Sequence, residues 1–397
     1  MVQNTSKFDR TKDPIVLQRR LFEAEHDEFR SVVSGFIAKS VLPNAERWAR
    51  EQVVDDDAWL EAGRLGLLGF EIPEQFGGAE TTDYRFNAVI AEEFWRAGVP
   101  AVGMGFSLHN DIALPYLLKL ADAEQRRRWF PSLVTGALRT AIAITEPGTG
   151  SDMSGIRTSA VLKDEVYRLN GSKTFISNGQ RAGLIVVVAR TGPDPHRGLS
   201  LLVVESDMAG FERGRNLHKI GLHAQDTSEL FFNDVAVPVE NILGVPDAAF
   251  GYLTANLPQE RLCIAVSAVA GAATALAHTV DYVRSRTAFG KAVSKMQNTR
   301  FQLGEIAMQV QAAQAYVDRC IQEHNAGRLT AADAAAVKGW TSELQNQIVS
   351  RCLQLFGGYG YMLEYPIAQA FLDARVQTIY GGTTEIMKEI VARDLNL

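Results

Sequence analysis

The stretch GLIVVVARTGPDPHRGLSLLVVES, residues 183–206, decides the fold. Two runs of Val, Ile and Leu flank a segment rich in Gly, Pro and Asp. β-Branched side chains suit a pleated surface, and those turn residues end a strand. Working outward, TAIAITEP (140–147) and ELFFNDVAVP (229–238) repeat the texture. The segment from Arg139 to Val245 therefore reads as a β module, an antiparallel sheet or barrel. Within it, NGSKTFISNG (170–179) reads as a hairpin start at Asn-Gly, a strand, and a second Asn-Gly turn.

On both sides the period changes from two to that of a helix. Phe29, Val32, Val33, Phe36 and Ile37 share one helical face, and Leu60, Leu65, Leu67 and Leu68 continue the pattern. PEQFGGAETTDY (73–84) breaks it as a loop. After Phe250, long Ala-rich segments at 257–286, 296–326, 331–356 and 383–394 read as helices. Gly327 is the expected stop of one and Thr330 the expected cap of the next. The expected fold is mainly α with a central β-barrel: an N-terminal helical domain over 1–138, a β-barrel domain over 139–245 and a C-terminal four-helix bundle over 246–397.

The totals exclude several function classes. The chain has 397 residues, 46% hydrophobic and 22% charged, with a net charge of −6 and both signs scattered. Nucleic acids and anionic membranes call for clustered Lys and Arg, which are lacking. The apolar stretches read as short and interrupted, so no membrane span is expected. Three cysteines in apolar contexts, without CxxC spacing, read as reduced core thiols. The start lacks an apolar signal core and an Arg-rich transit pattern, so a cytoplasmic protein is expected. Seven dispersed histidines with no HExxH argue against a metal, and the missing GxSxG lowers the case for an esterase.

Six motifs, five of them bearing glycine, carry the remaining signal. AITEPGTGSD (143–152) can aim amides and hydroxyls at an anion, or can be a plain Pro-Gly turn. Phe175 and Ser177 could wall and edge a flat ring, or Phe175 could be a core aromatic. RSRTAFGK (284–291) sets basic residues at a helix C-terminus, where the dipole alone favours them. QLFGGYGY (354–361) ends a helix in a glycine pair, which a Schellman stop explains without a ligand. NLPQERLCIA (256–265) reads as an Asn cap with Pro258 and Glu260 in a first helical turn. Finally VQTIYGGTTEIMKE (376–389) brings two glycines before a helix starting near Thr383, so something approaches that backbone closely.

Taken in order, ITEPGTGSDM, NGSKTFISNG, RTAFGK followed by Gln297, QLFGGYGY and IYGGTTEI resemble the acyl-CoA dehydrogenase family over essentially the whole chain. GFSLHNDIALPY, LHKIGLHAQDTSELFF, LPQERL and DARVQTIYGGTTEIMKE are most similar to its long-chain branch. The resemblance implies a homotetrameric flavoprotein that oxidises an acyl-CoA to the trans-2-enoyl-CoA and passes electrons to an electron-transfer flavoprotein. It implies that Ile144, Thr145 and Ser151 contact FAD, with Phe175, Ile176 and Ser177 along its ring. Phe175 stands where many relatives have Trp. Arg286, Phe289 and Gln297 would reach the FAD of a neighbouring subunit, Gln354, Gly357 and Gly358 would cradle its adenine side, and Thr383 and Glu385 would close the site. Ser151, Arg261, Gly381 and Gly382 would meet the substrate.

In most of that family the position of Gly381 is a glutamate that removes the α-proton. In the long-chain and isovaleryl branches the base is the Glu of an ERL-like sequence, here Glu260. The resemblance therefore implies Glu260 as base. A catalytically silent acyl-CoA-binding relative and a same-fold oxidase or monooxygenase are the competing expectations. Small residues Gly103 and Gly105 suggest room for a long acyl tail, while a branched or medium-chain substrate stays open.

Overall fold

The computed structural model describes residues 19–195 and 197–397, so the first 18 residues of the expected N-terminal unit lie outside the described residues. Seven helices follow: α1 (Ala24–Phe36), α2 (Ala45–Glu51), α3 (Asp56–Arg64), α4 (Arg85–Arg96), α5 (Pro100–Ser107), α6 (Leu114–Leu120) and α7 (Ala123–Val134). A π-helical stretch, Leu108–Ala113, joins α5 to α6. The wider turn rotates the side chains that follow. Here His109, Asn110 and Asp111 are all buried. Asn110 donates to the Leu67 carbonyl at 2.9 Å and accepts from the Gly69 amide at 3.0 Å. His109 Nδ1 lies 3.0 Å from the Thr140 hydroxyl, which ties this turn to the first strand.

The β module comprises β1 (Thr140–Ala143), β2 (Ser159–Lys163), β3 (Val166–Ser177), β4 (Leu184–Arg190), β5 (Leu199–Glu205), β6 (Phe211–Asn216), β7 (Thr227–Pro238) and β8 (Ile242–Leu243). Their order is β6-β7-β3-β2-β4-β5-β8, with β1 also on β4. The expected barrel is not closed. The path ends at exposed β6 and at two-residue β8, which do not pair, and closure requires those ends to meet. Nor is the sheet purely antiparallel, since β1 and β2 run parallel to β4. The opening stretch explains the centre: in β4 and β5 every residue except the last is buried. One face, with Val186, Val188, Leu201 and Val203, packs with Leu117, Phe130 and Leu133 of α6 and α7, and the other packs within the sheet module.

The hairpin signal is displaced. Asn170–Gly171 lies inside β3 at a register shift, and the two-residue turn is Asp164–Glu165, both with positive φ. The second Asn-Gly does end the strand, with Asn178 at φ 61°.

Five helices complete the chain: α8 (Ala249–Ser285), α9 (Gln297–Asn325), α10 (Ala331–Phe356), α11 (Pro366–Ala374) and α12 (Thr384–Asp394). A short hairpin, β9 (Thr287–Ala288) and β10 (Lys291–Ala292), sits between α8 and α9. Thr330 caps α10 in a reciprocal pair with Asp333, as expected, and Gly327 takes φ 68°. Gly357 caps the far end at φ 61°, ψ −139°, outside the left-handed helical conformation of the expected Schellman stop. Cys263, Cys320 and Cys352 are buried free thiols.

Helix α8 corrects two readings. It begins at Ala249, so Asn256 and Pro258 lie inside it and Glu260 is not in its first turn. The Asn256 side chain is engaged by Lys119, the Ile112 carbonyl and Glu260 instead of capping a helix. By length and composition α8 is also apolar enough to cross a membrane, contrary to the reading of short, interrupted stretches. Of its most apolar 18-residue window, 72% is buried inside the protein, with Leu262, Val266 and Val269 in a core shared with α4, α9 and α10.

Candidate active site

Glu260 is 7% exposed, and two donors converge on one of its oxygens. The Tyr116 hydroxyl, from α6, donates to Oε1 at 2.8 Å, and Asn256 Nδ2, one turn back on α8, donates to the same atom at 3.3 Å. Among the described residues Oε2 has no such donor. Burial raises the carboxyl pKa above that of an ordinary glutamate, while Tyr116, Asn256, Arg261 and Lys119 oppose the rise. The first-turn dipole that could have lowered it is removed by the true start of α8. Sequence reasoning missed Tyr116 and Asn256. An Asn four residues before a Glu on one helix is a readable pair, but nothing local announces Tyr116.

Beside this carboxylate lies the glycine pair. Arg261 Nε donates to the Gly381 carbonyl at 3.3 Å, and Lys338 Nζ to the Gly382 carbonyl at 2.6 Å. The N–H groups of Gly381 and Gly382 have no protein acceptor among the described residues. Both residues have positive φ, 65° and 97°. A Cβ at 381 would run into Ile264 Cδ1, one turn along α8 from Glu260. A side chain at 381 would therefore compete for space with Ile264 and strain the backbone. Thr383 caps α12 with its hydroxyl, accepting from Ile386 N, and Glu385 is exposed in the first turn.

The remaining predicted residues fall into two groups. Arg286, Gln354, Gly357 and Gly358 line one cavity of about 480 Å³ with Tyr282, Phe356 and Tyr359. The Arg286 guanidinium lies over the Tyr359 ring at 5.5 Å, and nothing stands within 4 Å of where a Cβ would extend from either glycine. Phe289 and Gln297 are not in that lining: Phe289 tips the β9–β10 hairpin at 95% exposure, and Gln297 opens α9 exposed.

The second group lines the rim of the sheet. The Thr174 amide donates to the Thr145 carbonyl at 2.9 Å, and buried Lys173 donates to the Ile144 carbonyl at 2.9 Å and to Glu146 at 2.8 Å. Glu146 also accepts from the amides of Arg157 and Thr158, and these donors hold its carboxyl below the usual range despite burial. The turn that follows leaves Ser151 exposed and Gly148 and Gly150 open on their outer side. Phe175 is 67% exposed at φ 60°, not a core aromatic, while Ile176 is buried and Ser177 half-buried. Gly103 and Gly105, by contrast, offer no room: Phe94 fills the space at one, and Gln225, Asn178 and Trp59 crowd the other.

The chain matches three family models in order: the acyl-CoA dehydrogenase N-terminal domain over residues 23–137, middle domain over 141–235 and C-terminal domain over 250–396. It belongs to the acyl-CoA dehydrogenase family. It is 46% identical over 380 residues to the long-chain specific acyl-CoA dehydrogenase of Sus scrofa, covering 95% of this chain and 88% of that one. Acyl-CoA dehydrogenase from Geobacillus kaustophilus superposes with a TM-score of 0.93 at 44% identity, covering 95% and 100%. The FAD complex of PigA superposes with 0.89 at 26%, covering 95% and 98%.

An acyl-CoA dehydrogenase is an FAD-dependent oxidoreductase acting on the CH–CH group of an acyl-CoA. The residues present fit FAD. Open glycines flanked by Thr and Ser hydroxyls suit a pyrophosphate, an exposed aromatic beside Ser177 suits an isoalloxazine, and an Arg–Tyr–Gly–Gly cavity suits an adenine end.

Proposed function

We propose that this acyl-CoA dehydrogenase oxidises long-chain acyl-CoA with Glu260 as the α-proton base. The observation that carries the reading is a buried carboxylate with one oxygen held and the other free, next to a glycine pair whose amides have no protein acceptor. The α-hydrogen of a thioester is a weak acid, so the carbonyl must be stabilised as charge builds on its oxygen. The Gly381 N–H does this. Tyr116 and Asn256 fix the rotamer of Glu260 so that Oε2 takes the proton, which is positioning rather than chemistry. FAD, when bound, supplies the acceptor for the β-hydrogen as hydride.

Ile144, Thr145, Ser151, Phe175, Ile176 and Ser177 would hold FAD along the sheet rim. Arg286, Phe289, Gln297, Gln354, Gly357 and Gly358 would hold it across a homotetramer, with the protruding Phe289 reaching a neighbouring subunit. Thr383 and Glu385 would close the site, and Ser151, Arg261, Gly381 and Gly382 would meet the acyl-CoA. An electron-transfer flavoprotein is the proposed acceptor, and the proposed units are 1–138, 139–245 and 246–397. Long-chain preference is supported by the 46% identity to a long-chain specific relative.

The test is Glu260→Gln, mixed anaerobically with saturated acyl-CoAs while the oxidised-flavin absorbance is followed. FAD stays bound and bleaching is lost at every chain length. Fast bleaching in the variant sinks the assignment, and a wild-type protein that binds acyl-CoA without bleaching makes it a silent relative.

A further inference from the structure

Glycine is the residue least restrained by its own sterics, and here two stand in a row, the first carrying the amide assigned above to the thioester. Something outside the loop must hold φ 65° and 97°. Two cations do so from two helices: Arg261 on α8 grips the Gly381 carbonyl and Lys338 on α10 the Gly382 carbonyl. Lys338 is fully buried, and the Gly382 carbonyl is its one hydrogen-bond acceptor among the described residues. An ammonium with a single neutral acceptor is costly to bury. A methionine of similar length would pack there without that cost, so packing does not account for the lysine.

We propose that Lys338 is a positioning residue for the reaction: with Arg261 it locks the Gly381–Gly382 backbone so that the Gly381 N–H stays aimed at the acyl carbonyl. This rests on the reading of that amide as the carbonyl donor. In a trans peptide the N–H and C=O leave opposite edges, so gripping the Gly381 carbonyl turns the Gly382 N–H to the other side. Gripping the next carbonyl as well removes the rotation about Gly382 that would let the pair relax.

The grip depends on the lysine being charged. The charged groups that face it are Arg261 from α8 and Glu385 from α12. Burial and Arg261 bring its pKa down to about 8, against the opposing pull of Glu385. The charged form prevails below that pH and is lost above it, so the amides loosen as pH rises.

The probe is cinnamoyl-CoA, a conjugated thioester with no saturated Cα–Cβ bond to oxidise, bound to the FAD-loaded protein. Donors on its carbonyl shift its absorbance to the red. The wild-type protein shows a shift that fades as pH rises through about 8. Lys338→Met abolishes the shift and slows flavin reduction by acyl-CoA by about tenfold to a hundredfold, with the Kd for cinnamoyl-CoA changed by less than about threefold. Lys338→Arg, whose side chain stays charged, keeps the shift at about pH 9.5. A Met variant that retains both shift and rate overturns the proposal while leaving the amide reading intact. If that variant does not load FAD, the wild-type titration decides, and a shift constant from about pH 6 to 9.5 overturns it. A wild-type protein that binds cinnamoyl-CoA with no shift overturns the amide reading, and the role of Lys338 with it.

Discussion

Removing one hydroxyl, in Tyr116→Phe, separates positioning of the base from its chemistry. Tyr116 is 1% exposed in a packed core, so phenylalanine keeps the ring in place and removes only the hydroxyl. What is lost is a 2.8 Å hydrogen bond to Glu260 Oε1, leaving Asn256 at 3.3 Å as the donor there. A hydrogen bond to a charged group contributes roughly 1.5–3 kcal/mol. That donor favours the carboxylate over the acid, so losing it raises the Glu260 pKa further. The base works deprotonated, and its pKa already lies above that of an ordinary glutamate. The acid limb of the flavin-reduction rate against pH therefore moves to higher pH, and the rate recovers above the new pKa. Anaerobic stopped-flow measurement of flavin bleaching between about pH 5 and 9 reads this directly. An acid limb that stays in place refutes the claim that Tyr116 sets the protonation of Glu260, whatever happens to the maximal rate.

Three further outcomes follow from the geometry. Gly381→Ala places a Cβ against Ile264 at a left-handed φ and destabilises the protein by about 1–2 kcal/mol or more in denaturant unfolding, and Ile264→Ala in the same chain recovers the steric part. Additive losses would show that the clash is not felt. Lys173→Met leaves Glu146 buried without its cation and costs about 3–5 kcal/mol, with weakened FAD retention on dialysis; unchanged stability would mean that Glu146 takes up a proton instead. Phe175→Gly relieves a left-handed aromatic residue in an exposed position, so the apoprotein gains about 1 kcal/mol while FAD binds more weakly. An apoprotein that loses stability would show that Phe175 packs on the protein itself.

Part of this molecule was legible because the chemistry is local. Runs of β-branched residues found β4, β5 and β7, and Thr330 found the start of α10, while Gly381 and Glu260 were singled out by the family resemblance. The strand and cap signals are properties of adjacent residues, whereas Gly381 and Glu260 gain meaning only from the family pattern. The start of α8 was not legible, because Asn256 looks like a cap until tertiary neighbours Lys119 and Ile112 engage its side chain. The open sheet was not legible either. Whether β6 meets β8 depends on strand order, and alternation of side chains is the same in a barrel and in a twisted sheet.

By itself, then, the sequence determined the family and the order of a helical unit, a β module and a second helical unit. Only the tertiary structure decided how the site is wired. Tyr116 and Glu260 are 144 residues apart, Arg261 and Gly381 120, and Lys338 and Gly382 44. No periodicity in a chain encodes such pairs. They exist because packing of α6 and α10 against α8, and of α12 against α10, excludes water and brings a carboxylate, two cations and two unpaired amides together. In that dry setting a hydrogen bond or a charge is worth far more than in solvent.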